Sequence, residues 1–273
     1  MLSQHRGASV GQPITHSLSP VLHNAAYAAL GLTDWHYGKH EVPAGGLASF
    51  VAGLDSQWVG LSVTMPLKRE ALALATQASA RAQAIGAANT LIFKAEEIHA
   101  DNTDAPGMVD AIAEVGMGRA SNMVIIGGGG TAQAALGAAV DLTDAPVHIL
   151  VRDVNRAAEA QASAERLAVP LRVLTLDRAP ELLSRADLVV STVPAGAADQ
   201  FVRWVPPHGS VVFDVVYDPW PTPFAAAARN AGCRIVSGLD LLLHQATYQV
   251  TAMTGQRAPL EAMRAALTEA VRR

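Results

Sequence analysis

Apolar and polar positions alternate differently in the two halves of the chain. In the first hundred residues, short apolar runs alternate with helix-period stretches. They predict strands over 8–10, 35–41 and 58–63 and helices over 20–30, 47–54 and 66–75. A hairpin is predicted from 90–94 and 97–100, turning over Ala95-Glu96. From Met123 the strand candidates become short and mainly apolar: 123–126, 147–151, 171–176, 188–190, 211–213 and 235–236. Strands of this kind, separated by helical patterns such as 132–140, imply a parallel sheet buried on both faces. The tail returns to helical spacing over 239–254, with Gly255 as a stop signal, and over 259–271, where Leu260, Met263 and Leu267 share one side. The expected architecture is α/β: a doubly wound parallel sheet over 105–237, inserted into an α/β domain made of 1–104 and 238–273 and completed by the C-terminal helices.

Composition narrows the class. Half of the 273 residues are apolar and 16% are charged, enough for sizeable cores. A net charge of -4, with no long basic run, gives no footprint for nucleic acid. No run approaches the ~18 apolar residues of a membrane helix, and the first residues lack a signal-peptide core. A soluble cytoplasmic protein, monomer or homodimer, is expected. The single cysteine, Cys233, allows no internal disulfide and reads as a small residue entering a strand. Nine histidines are scattered without cysteine partners, so no metal is expected.

The glycine run adds chemistry. Gly127-Gly128-Gly129-Gly130-Thr131-Ala132 follows a strand and opens a helix, and Gly127, Gly129 and Ala132 fit the G-x-G-x-x-A fingerprint of dinucleotide binding. The first glycine permits the tight turn, the second admits a pyrophosphate to the backbone, and the third position must be small for the helix to lie on the strand. Free amides and the helix dipole then hold the anion. The inserted domain is therefore read as Rossmann-type.

Other polar groups lie outside that domain. In His16-Ser17-Leu18-Ser19-Pro20, Ser19 reads as an N-cap before a first-turn proline, whereas Ser17 has no evident local role and suits a substrate carboxylate or hydroxyl. In Ser62-Val63-Thr64-Met65-Pro66-Leu67-Lys68, Pro66 is expected to start a helix with Lys68 in its first turn. A cation there opposes the helix dipole by roughly 0.3–1 kcal/mol. With only three lysines in the chain, Lys68 reads either as a surface cation or as an acid/base group. Asp104 caps a helix or carries charge at a substrate site, Asn89 sits in a turn, and Gln245 and Gln249 lie one turn apart in the tail helix. Tyr217 falls at the carboxyl end of a strand, where parallel sheets bind ligands.

Together these segments resemble the shikimate dehydrogenase family. The pieces are His-Ser-Leu-Ser-Pro at 16–20, Val-Thr-Met-Pro-Leu-Lys at 63–68, Gly-Ala-Ala-Asn-Thr at 86–90, Asn-Thr-Asp at 102–104, the glycine loop, Asp-Val-Val-Tyr at 214–217 and Gly-Leu-Asp-Leu-Leu-Leu-His-Gln at 238–245. The resemblance implies NADPH-dependent reduction of 3-dehydroshikimate to shikimate, in aromatic amino acid biosynthesis. It assigns Ser17, Ser19, Thr64, Asn89, Asp104, Tyr217 and Gln245 to the substrate, and Lys68 with Asp104 to acid/base chemistry. Gly127, Gly128, Gly129, Gly130 and Thr131 would hold the pyrophosphate, with Thr192, Val215 and Gly238 near the nicotinamide. Ser62 departs from the family's usual asparagine, so a substrate hydrogen bond is expected to be altered there. Val151-Arg152-Asp153 departs from the usual Asn-Arg-Thr. Arg152 and Arg156 suit the phosphate of NADP and Asp153 suits the ribose of NAD. If the strand continues that far, alternation sends Arg152 and Asp153 to different sides, and the two arginines outweigh the carboxylate, which favours NADP over NAD. The competing readings are an NAD-dependent quinate/shikimate dehydrogenase and a non-catalytic metabolite-sensing homologue.

Overall fold

A computed structural model describes residues 5–272, and of Arg156 the backbone alone. The chain divides into two compact units, one formed by residues up to Thr103 together with those from Leu242 onward, the other by Asp104–Leu241. No helix among the described residues is long and apolar enough to cross a membrane.

The first unit runs β1 (His5–Gly11), α1 (Ser19–Ala29), β2 (Trp35–Glu41), α2 (Leu47–Ala52), β3 (Trp58–Val63), α3 (Lys68–Leu74), β4 (Gln77–Ala78), α4 (Ala80–Ile85), β5 (Thr90–Lys94) and β6 (Glu97–Asp101). The strands form one six-stranded sheet in the order β2-β1-β3-β5-β6-β4. β1 is parallel to β2 and β3, while β5 is antiparallel to β3 and to β6. β4 and α4 were not expected. Two residues are too few to show a strand period, but α4 carries readable ends: Ser79 Oγ accepts from Ala82 N at 3.0 Å, and Gly86 stops the helix at φ 83°.

Two sequence expectations in this unit need correcting. Ser19 is not a cap: it is the first helical residue of α1, after Leu18, and its own N–H donates to Ser17 Oγ at 3.4 Å. Pro66 does not start α3. It lies in a preceding turn, in which Leu67 N donates to Thr64 O at 2.9 Å, and Lys68 itself opens the helix.

The second unit runs α5 (Asp104–Glu114), β7 (Met123–Ile126), α6 (Gly130–Leu142), β8 (Val147–Val151), α7 (Ala158–Arg166), β9 (Leu171–Thr175), α8 (Ala179–Leu183), β10 (Leu188–Ser191), β11 (Val211–Asp214), α9 (Pro223–Asn230) and β12 (Arg234–Ser237). Its sheet is parallel throughout, in the order β9-β8-β7-β10-β11-β12. Counted along the chain this is 3-2-1-4-5-6, the doubly wound Rossmann order, whose direction reverses between β7 and β10. Both faces are covered, as the mainly apolar runs require: Met123 and Ile125 pack into one core, Val124 and Ile126 into the other.

The chain then enters α10 (Gly238–Thr254), ended by Gly255 at φ 72°, and α11 (Leu260–Val271), which packs on α1. Alternation explains how α10 seats on the first sheet. Ala8, Val10, Leu61 and Val63 point into one core. Their neighbours on the opposite face are small: Gly7, Ser9, Gly60 and Ser62. A Cβ on Gly60 would lie 3.0 Å from Met253 Cε, and one on Gly7 would lie 2.9 Å from the Tyr37 ring. These small positions admit a second cluster of Tyr27, Tyr37, Ile92 and Met253.

Candidate active site

Strand direction gathers the polar residues of the first unit at one sheet end. β1 and β3 are parallel, so the loops that leave them, carrying Ser17 and then Thr64 and Lys68, depart from the same end. β5 runs against β3 with Ser62 opposite Thr90, so Asn89 enters at that end. β6 runs against β5 with Asp101 opposite Thr90, so Asn102 and Thr103 leave there too. Backbone bonds tie the loops together: Thr64 N donates to Val10 O at 2.9 Å, Val63 N to Asn89 O at 2.7 Å and Ala88 N to Lys68 O at 2.9 Å.

Asn89 is buried at this junction. Its Oδ1 accepts from Thr103 N and Thr90 Oγ1, both at 2.8 Å, and its Nδ2 donates to Thr103 Oγ1 at 3.0 Å and to Gln245 Oε1 at 3.3 Å. Gln245, on α10, also donates from Nε2 to Leu242 O at 2.9 Å. Thr103 was not singled out in the sequence, although its place in Asn102-Thr103-Asp104 offered a signal. Thr64 and Met65 are exposed, Lys68 is half-buried and Ser19 is buried. Ser17 Oγ shares a hydrogen bond with Ser9 Oγ at 3.1 Å and accepts from Ser19 N, so it does have a local role.

Ser62 does not extend this polar edge. Its hydroxyl is buried, accepting from Tyr37 Oη and donating to Gln249 Oε1 at 2.6 Å. Gln249 is likewise interior rather than an exposed face of α10. His23 lies in the same cluster, stacked on Tyr37 at 3.8 Å between ring centroids. Burial drives its pKa down to about 3, with the Gln249 side chain opposing, and neither ring nitrogen is in hydrogen-bonding geometry with a partner.

Asp104 and Tyr217 belong to the second unit. Asp104 is the buried first residue of α5, not a cap before it. Tyr217 lies three residues past β11, and burial raises its phenol pKa, with Asp218 adding to the rise. Asp214 anchors that turn by accepting from Thr222 Oγ1 at 2.7 Å and Val216 N at 3.3 Å. A Cβ on Gly238 would sit 2.1 Å from Val215 O and 3.2 Å from Tyr217 Cδ1. Gly238 therefore seats the start of α10 against the Val215–Tyr217 turn, a packing role not foreseen beside its expected place near the nicotinamide.

The glycine loop opens a cavity of 570 Å³ at the point where the strand order reverses. Gly127 takes φ 108°, a conformation other residues resist, and a Cβ there would lie 2.6 Å from Thr192 Oγ1. Thr192 in turn donates from Oγ1 to Ile126 O at 2.9 Å. Gly129 and Gly130 are different: nothing lies within 4 Å of a Cβ at either. Gly129 precedes α6, Gly130 opens it with Thr131 next, and Ala132 is fully buried, so a phosphate can reach the helix N-terminus without obstruction. Arg152 and Asp153 both line the cavity: β8 stops at Val151, so the strand does not continue far enough for alternation to send them to different sides. Asp153 Oδ1 accepts from Asn155 N at 3.0 Å, capping a turn over Val154–Ala157. That turn contains Arg156, whose side chain lies outside the described residues. No group of three metal-ligating side chains occurs among the described residues.

Comparison with known proteins agrees along the whole chain. Residues 10–91 match the family model of the shikimate dehydrogenase substrate binding domain, and residues 238–268 that of the shikimate 5'-dehydrogenase C-terminal domain. A shikimate dehydrogenase (NADP(+)) of Caulobacter vibrioides is 41% identical over 260 residues, covering 92% of this chain and 90% of that protein. The crystal structure of Mycobacterium tuberculosis shikimate dehydrogenase superposes with a TM-score of 0.89 at 40% identity, covering 97% of this chain and 99% of that one. The Thermus thermophilus enzyme, solved in complex with NADP(H) and shikimate, gives a TM-score of 0.85 at 30% identity, over 99% of this chain and 100% of that one.

Proposed function

The chain belongs to the shikimate dehydrogenase family, and from that premise we propose how its residues divide the work. The protein is an NADP-dependent oxidoreductase acting on a CH–OH group, interconverting 3-dehydroshikimate and shikimate. The observation that carries the assignment to this site is the meeting of Asn89 and Gln245, two buried amides from opposite ends of the chain, at 3.3 Å. Amides in that setting offer donors and acceptors to ring hydroxyls, and a site built for hydroxyls rejects analogues that lack them.

In this reading Asn89, Gln245, Thr64, Ser17 and Ser19 hold the substrate's hydroxyls and carboxylate, and Tyr217 contributes its phenol. Bound NADP(H) supplies or accepts the hydride. Lys68 gives a proton to the carbonyl oxygen as it becomes alkoxide, and takes one back when shikimate is oxidised. Asp104 is the carboxylate assigned to the same acid/base step by its place in Asn-Thr-Asp. Gly127 to Thr131 fit a pyrophosphate, because the space beyond Gly129 and Gly130 is clear and the amides of α6 face it. Thr192 and Val215 line the nicotinamide half, with Gly238 behind the Val215–Tyr217 turn. Arg152 provides the cation for the 2′-phosphate, while Asp153 is engaged as a turn cap.

The test is a steady-state assay of shikimate and quinate against NADP and NAD. The expected result is highest kcat/KM for shikimate with NADP. Higher kcat/KM for quinate with NAD would replace this reading, and no turnover of either substrate would remove it.

A further inference from the structure

Behind Asn89 lies a chain of hydrogen bonds with one direction. It begins at Tyr37 on β2, whose phenol donates to Ser62 Oγ on β3. Ser62, having accepted there, gives its own proton to Gln249 Oε1 at 2.6 Å. Gln249 Nε2 donates to Asn89 O at 3.1 Å, a backbone carbonyl that fixes the sense of the amide, and to Thr90 Oγ1 at 2.9 Å. Thr90, now an acceptor, turns its proton to Asn89 Oδ1 at 2.8 Å. That leaves Asn89 Nδ2 facing Gln245 Oε1, and Gln245 Nε2 as the donor side of its amide.

We propose that Gln249 is a positioning residue: its Nε2, donating to Asn89 O and Thr90 Oγ1, holds the Asn89 turn in place beside Gln245 for substrate, and Tyr37 and Ser62 hold Gln249 in turn. The inference rests on reading Asn89 and Gln245 as substrate ligands. Backbone groups fix the sense of each amide, since Thr103 N donates to Asn89 Oδ1 and Leu242 O accepts from Gln245 Nε2, so what Gln249 supplies is the placement of Asn89 and Thr90. Tyr37, Ser62, Gln249, Thr90 and Asn89 are all buried, so no water competes for that task. The titratable groups of the cluster are His23, Tyr27 and Tyr37. His23 is neutral above about pH 3, and burial raises both phenols, so none changes charge in the working range. The departure to serine at 62 falls on this chain: Ser62 reaches Gln249, not the polar edge of the sheet.

The experiment compares Gln249→Leu, Gln249→Glu and Tyr37→Phe with wild type. Gln249→Leu is expected to lower kcat/KM for shikimate by about tenfold to a hundredfold, the scale of a buried polar partner lost, with KM for NADP unchanged. Tyr37→Phe, a smaller change to packing, is expected to lower it by a few-fold in the same pattern. Gln249→Glu is the discriminating variant. An ionised carboxylate cannot donate to Thr90, but a protonated one can, and burial raises a carboxyl pKa. Its kcat/KM relative to wild type should therefore rise as pH falls from 9 to 6, which a purely structural role would not produce. If Gln249→Leu does not fold, Tyr37→Phe and Gln249→Glu still decide. Wild-type kcat/KM in Tyr37→Phe, with a pH-independent ratio for Gln249→Glu, would overturn this inference alone. Absence of shikimate turnover in the wild-type protein would remove it together with the functional reading.

Discussion

Asn89 and Gln245, 156 positions apart, share a hydrogen bond of 3.3 Å, and Thr103 N donates to the same asparagine at 2.8 Å. Asn89→Leu removes both the amide and the acceptor for a buried backbone N–H. An orphaned buried donor costs about 1–3 kcal/mol, so both unfolding free energy and kcat/KM for shikimate should fall. Denaturant titration and steady-state kinetics on one preparation check this. An unchanged kcat/KM in a destabilised variant would confine Asn89 to the fold.

Lys68→Ala should lower kcat by about 10²–10⁴, the usual contribution of a positioned acid/base group. Equilibrium binding of shikimate should weaken much less. A variant that keeps more than about a tenth of wild-type kcat would take the proton-transfer role away from Lys68.

Gly127 and Gly129 should respond oppositely to alanine. Gly127→Ala adds a Cβ 2.6 Å from Thr192 Oγ1 at φ 108°, so its Tm should drop. Gly129→Ala meets no protein atom within 4 Å and should keep its Tm. Its methyl would instead stand where a pyrophosphate must approach, so Kd for NADP should rise. Equal NADP affinity in Gly129→Ala and wild type would move the phosphate site elsewhere.

Arg152→Ala should lower the ratio of kcat/KM for NADP over NAD, and it should do so mainly through KM for NADP. Asp153→Asn should change the ratio little, because its Oδ1 caps Asn155 N and an asparagine oxygen can do the same. A ratio unmoved by Arg152→Ala would show that the arginine does not read the phosphate.

His23 supplies a stability prediction with a definite sign. Its folded pKa, about 3, lies below the ordinary 6.5, so the unfolded chain binds a proton that the folded one refuses. Stability should therefore fall as pH drops below 6.5, by at most about 1.4 kcal/mol per pH unit from this group, down to about pH 3. His23→Phe removes that slope. Asp214, whose carboxyl is raised by burial, acts in the opposite sense in both proteins, so it cancels in the difference. Parallel stability–pH curves for the two proteins would contradict the neutral, buried histidine.

The parallel sheet was legible because strands buried on both faces write themselves as short, mainly apolar runs: Met123–Ile126 and Val147–Val151 fall where the pattern put them. The glycine loop was equally plain, since a tight turn between strand and helix leaves little choice of residue. What hid was direction and depth. Ser19 loses its expected capping role to Leu18, which caps without a side-chain bond, because the choice of cap depends on where the first helical turn closes, which one residue can shift. Gln249 could be placed on a helix but not on the buried side of it, because its burial follows from Gly60 and Ser62 on a strand far away in sequence. The separation of Arg152 from Asp153 hung on the length of β8, which stops at Val151 before alternation reaches them.

The discontinuity of the first unit also sets an order of events during synthesis. Translation proceeds from the N-terminus at about 5–20 residues per second, and domains fold as they are completed. Asp104–Leu241 is therefore whole, and free to fold, while the six-stranded sheet made before it still lacks α10 and α11. Until those helices emerge, the face carrying Gly7, Gly60 and Tyr37 has no Met253 against it, and α1 has no α11. The first sheet to be made is the last to be finished, and its face stays uncovered until residues 242–273 emerge.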